Sequence, residues 1–120
     1  MHPSYTFKNL ELITGGDPAL DIDLLETFLT TSREYIAGMH AAHLENDDDD
    51  WQRQAHELKG SCFNIGADSL GEICENAQSH MGAPAAVRLE ILQKIKKEFA
   101  GLEQAIFHLI DQKKRQAHHE

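Results

Sequence analysis

The sequence is short of the features that mark several large classes of protein. Aromatic residues make up only 7% of it and apolar residues 41%, so its core has to be mainly aliphatic. With few of the turn signals that punctuate β-rich chains, this composition favours packed helices. No apolar run is long enough to cross a bilayer, and the opening MHPSYTFKNL lacks the basic-then-apolar layout of a secretory leader. A cytoplasmic protein is expected. Positive charge is scarce: 11 Lys and Arg against 20 Asp and Glu give a net charge of −9. That balance excludes the basic footprint of non-specific nucleic-acid binding and disfavours an anionic membrane surface.

Cysteine is nearly absent too. Cys62 and Cys74 both fall on expected apolar stripes and read as reduced core thiols. A disulfide or a shared zinc ion is the alternative, although no further zinc ligands stand at motif spacing. Phosphate-binding glycine loops are missing, including Gly-x-x-x-x-Gly-Lys-Ser/Thr, and the chain is too short for an added ATPase domain. It is not expected to use ATP itself.

What is present is helical periodicity. Residues 1–16 read as a lead-in with a short helical turn over 7–12, closed by Gly15-Gly16. Asp17-Pro18 supplies an N-cap and a proline at the first helical position. Ile22, Leu25, Phe28, Leu29, Ser32, Tyr35, Ile36 and Met39 then follow the three-four spacing of an amphipathic helix over 18–44. The acidic run ENDDDD ends it and reads as a solvated turn; a calcium loop would need glycine and a closing glutamate. Further helices are predicted over 50–64, over 68–81 with Leu70, Ile73, Cys74, Ala77 and Met81 inward, and over 84–115 with near-heptad spacing. The final KKRQAHHE places cations where a helix dipole favours them. Four stripes joined by short links predict an all-α, antiparallel four-helix bundle. It forms one domain over 1–120, with its core at about 18–115 and a short helical lead-in.

One stretch carries chemistry. Ala55, Leu58, Cys62 and Ile65 form the buried stripe of the second long helix, while His56, Lys59, Gly60 and Phe63 share a neighbouring face. An imidazole is a nucleophile near neutral pH. A lysine one turn on stabilises added phosphate charge. Glycine inside a helix costs about 0.5–1 kcal/mol against alanine, so Gly60 needs a reason. Either a neighbouring helix packs tightly there, or a phosphate or partner approaches from outside.

The run HELKGSCFNIGA resembles the signature of histidine-containing phosphotransfer (HPt) domains, roughly His-x-Leu-Lys-Gly-Ser-(small)-x-x-(Leu/Ile/Val)-Gly. The resemblance implies that His56 accepts a phosphoryl group from a receiver-domain aspartate and passes it to another receiver in a two-component phosphorelay. Lys59 would be the phosphate partner. Gln78 would hydrogen-bond the imidazole, as a glutamine at the matching position does in several such domains. Gly60, Ser61, Phe63 and Asn64 would contribute the docking face. Phe63 departs from the usual small residue and suits either that face or partial burial. No cofactor is expected on this chain, the Mg²⁺ belonging to the receiver. The expected partners are receivers of response regulators and of hybrid histidine kinases, met by a monomeric, stand-alone relay protein.

Two other classes are open. A non-phosphorylated HPt-like adaptor would bind and inhibit a receiver or a histidine kinase without using His56. A di-iron-type bundle would need inward Glu-x-x-His pairs. His40, His43 and the His118-His119 pair lack carboxylates at metal-site spacing and read as solvent-facing, so no metal site is predicted.

Overall fold

The computed structural model describes residues 7–118, which form five helices: α1 Leu10–Thr14, α2 Pro18–Glu45, α3 Asp48–Ile65, α4 Asp68–Ser79 and α5 Ala85–His118. α2 packs on α3 and α5, α3 on α4, and α4 on α5, which closes a four-helix bundle with α1 laid across α2. Leu25, Met39, Trp51, Leu58, Ile65, Leu70, Leu92, Ile95, Leu102 and Ile106 fill the centre and are essentially solvent-free. Residues 1–6 of the expected lead-in lie outside the described residues, as does His119 of the C-terminal histidine pair.

The caps set the helix ends. Asp17 accepts hydrogen bonds from the Ala19 and Leu20 amides, with Pro18 at the first helical position. Asn46 ends α2 in a left-handed conformation (φ 56°), and Gly66 ends α3 in the same way (φ 92°). The lead-in helix is shifted from 7–12 to Leu10–Thr14, with Gly15 left-handed at its C-terminus.

The acidic run is less of a turn than expected. Asp47 caps α3 by accepting from the Asp50 amide, and Asp48, Asp49 and Asp50 form its first turn, where the dipole favours negative charge. α3 therefore starts two residues earlier than predicted. Met81, expected on the α4 stripe, is 45% exposed, because α4 ends at Ser79 with His80 as its C-cap.

Three charged or polar residues are buried: Ser32 and Arg88 at positions that keep the stripe spacing of α2 and α5, and Asp21, which the expected stripe leaves unmarked. Arg88 extends from the start of α5 to Asn46 Oδ1 and Asp48 Oδ1 (3.2 Å for the latter), joining the α2–α3 turn to α5. Asp21 accepts from Thr14 Oγ1 and pairs with Lys113 Nζ at 3.0 Å, which ties α1 and the start of α2 to the end of α5. Ser32 is buried without a hydrogen bond from its hydroxyl.

Candidate functional site

The long face shared by α3 and α4 carries the predicted residues, and their placement follows from how these two helices are pinned. Near one end the indole of buried Trp51 donates to the Ala77 carbonyl at 2.9 Å. In the middle, Cys62 and Cys74 lie close to one another inside the core. Near the other end the Phe63 ring lies over Gly71, where an added Cβ would stand 2.9 Å from the ring, so only glycine lets α4 come this close. With that register fixed, His56 on α3 and Gln78 on α4 are forced side by side.

His56 is exposed, and its Nδ1 lies 3.2 Å from Gln78 Nε2. One ring nitrogen is thus engaged by the protein, and Nε2 is left for chemistry. The amide oxygen of Gln78 is buried without a partner. Lys59 is half-buried, and among the described residues its ammonium engages no other group. Helical side chains lean towards the N-terminus, so Lys59 leans back over the turn that carries His56. Gly60 is exposed, and an added Cβ there would meet nothing within 4 Å. Tight helix packing is thereby excluded as its reason, and the space above it belongs to solvent.

The remaining expected residues divide. Asn64 is exposed on the same helix, and its neighbour Ser61 is partly buried. Phe63 is half-buried and spends its ring on Gly71, so its first task is to seat α4. Sequence reasoning missed two of the three pins. Trp51 continues the Ala55–Leu58–Cys62–Ile65 stripe one turn upstream, a signal that was available. Gly71 inside an otherwise ordinary helical run was the mark of a close approach.

Cys62 and Cys74 are free and fully buried. The hydrogen bond with Cys74, then burial, push the Cys62 thiol far above the ordinary range, so it stays protonated and does not compete with His56 as a nucleophile. His40 and His43 stand beside Lys96 and Arg88: Lys96 Nζ lies 3.1 Å from His40 Nδ1.

The Hpt domain family model matches residues 23–105, a span that contains α3, α4 and every residue of this site. The chain belongs to the Hpt domain family. None of the curated proteins matches it significantly. Among solved structures, that of histidine-containing phosphotransfer protein B (HptB) from Pseudomonas aeruginosa PAO1 is similar over 96% of this chain and 98% of its own, with 23% identity and a TM-score of 0.76. The Hpt bundle is thus the fold of nearly the whole chain. No helix among the described residues is long and apolar enough to cross a membrane.

Proposed function

We propose that this Hpt protein is a phosphoryl carrier of multistep two-component relays, in which His56 takes a phosphoryl group from a receiver aspartate and yields it to another. The observation that carries this reading is the exposed His56 ring, held at Nδ1 by Gln78 beside an unpaired Lys59 and the open space over Gly60. Membership of the Hpt family and the likeness to a structure described as a histidine-containing phosphotransfer protein support the reaction class.

The lone pair of Nε2 attacks phosphorus. The N–P bond forms as the P–O bond to the aspartate breaks, and its electron pair returns to the carboxylate. Nε2 must therefore be unprotonated, and the ring proton must sit on Nδ1. An amide NH₂ facing Nδ1 favours the opposite tautomer. A half-turn of the Gln78 amide brings its oxygen to Nδ1–H and selects the reactive form. The positive charge that the ring gains on phosphorylation then strengthens this hydrogen bond. Lys59 offsets the phosphate charge, and Gly60 leaves room for the incoming receiver. The receiver's own acidic pocket and Mg²⁺ supply the remaining electrostatics, so this chain contributes the nucleophile and its positioning. The partners are receiver domains of response regulators and hybrid kinases, engaged by a monomer.

Incubation with a phosphorylated receiver tests this. We expect acid-labile, base-stable phosphate on the protein within the receiver's own lifetime, and none on His56→Gln. Label that persists in His56→Gln overturns the assignment of the acceptor. Intact receiver binding with no label on wild type instead makes the protein a silent adaptor.

A further inference from the structure

α3 has the sequence DDDWQRQAHELKGSCFNI and only two cationic side chains, Arg53 and Lys59. They stand three residues before and three residues after His56. Lys59 has no partner, as described above. Arg53 is exposed, and its guanidinium is paired with Asp50 one turn further towards the N-terminus. The Asp50 carboxylate is also held by Gln54 Nε2 at 3.4 Å, and its own backbone amide is bound by Asp47. The carboxylate thus keeps a second partner in Gln54 when the guanidinium on its long stem leaves.

Resting on the relay reading above, we propose that Arg53 is a second phosphate-binding residue, which moves from Asp50 to the phosphoryl group once His56 carries it. Residues three apart on a helix have Cβ atoms about 5–6 Å apart, well within the reach of an arginine. The His56 ring leans towards the N-terminus and so lies over the turn from which Arg53 projects. Phosphate outbids Asp50 for two reasons. It carries more charge than a carboxylate, and it offers three oxygens to a fork of donors. An exposed ion pair one turn apart is also weak, so little holds Arg53 where it is. Asp50 then acts as a parking place that keeps the guanidinium near the site and neutralised while the histidine is bare.

The test uses the whole protein phosphorylated with phosphoramidate, a small-molecule donor, followed by ³¹P NMR, with His56→Gln identifying the His56 resonance. A guanidinium on the phosphoryl oxygens favours the dianion, so the phosphate of wild type should titrate at lower pH than that of Arg53→Gln. Arg53→Lys should fall between them, and Asp50→Asn should match or exceed wild type. Labelling of Arg53→Gln by a phosphorylated receiver should be about three- to tenfold slower, the range for one solvent-exposed charged hydrogen bond. Equal titration curves and equal rates for wild type and Arg53→Gln overturn the role of Arg53 and leave His56 as acceptor. Absence of any His56 resonance or label in wild type overturns the acceptor itself, and the role of Arg53 with it.

Discussion

Gly60 separates stability from function at the scale of one residue. Its surroundings are empty, so a methyl group added there clashes with nothing and gains helix propensity. We expect Gly60→Ala to stabilise the fold by about 0.5–1 kcal/mol in urea unfolding. The same methyl group stands where a receiver must approach, so transfer to His56 should slow while small-molecule phosphorylation by phosphoramidate is unchanged. A variant that is no more stable than wild type would mean that glycine serves the helix itself. The contrast with Gly71 shows what a sequence conveys about glycine. Gly60 lies inside α3 and Gly71 in the first turn of α4, and periodicity distinguishes neither. Gly60 was legible because it follows His-x-x-Lys. Gly71 marked a close approach without naming its partner, because its reason is a phenylalanine on another helix.

At the scale of elements, amphipathic stripes gave the four bundle helices and most of their inward residues, since burial of an aliphatic stripe is what drives the packing. Ends were less legible. ENDDDD looks like a solvated run, yet it divides into a left-handed cap, an N-cap and a helical first turn, because Arg88 reaches across from α5 to hold Asn46 and Asp48. Arg88 keeps the stripe's rhythm in the sequence, but nothing there shows which partners hold its charge. The asymmetry of this contact makes a prediction. Arg88 is buried, whereas the Asp48 side chain is 46% exposed. Removing Asp48 leaves a buried guanidinium with no anion and only Asn46 Oδ1 as a partner, while removing Arg88 returns a carboxylate to water. Asp48→Ala should therefore cost about 2 kcal/mol, below the ~3–5 of a fully buried pair. Arg88→Met, which keeps the apolar stem, should cost under about 1 kcal/mol. Denaturant midpoints in the reverse order would show that Asp48 acts only through the helix dipole.

For the molecule as a whole, α2 and α5 are the long members, and polar clamps hold them near both ends: Asp21 with Lys113 and Thr14, and Arg88 with Asn46 and Asp48. Between these clamps, on α2, lies His43, half-buried with its Nδ1 shielded from solvent and unpaired. Burial, and after it the charges of Arg88, His40 and Lys96, lower its pKa from the ordinary 6.5. The folded protein thus prefers His43 neutral, while the unfolded chain takes up a proton at about 6.5. Above that pH both states are neutral there, and the contribution of His43 is fully present. As pH falls from 6.5 through the lowered folded value, the unfolded state binds the extra proton and stability declines. His43→Gln removes the titration but keeps a polar side chain of similar reach. Urea midpoints measured from pH 7.5 down to 5 should fall more steeply for wild type than for His43→Gln, since the carboxylates contribute equally to both. Parallel curves would mean that His43 is protonated as readily in the bundle as in the unfolded chain, and that the cationic seam between α2 and α5 exerts no effective field on it.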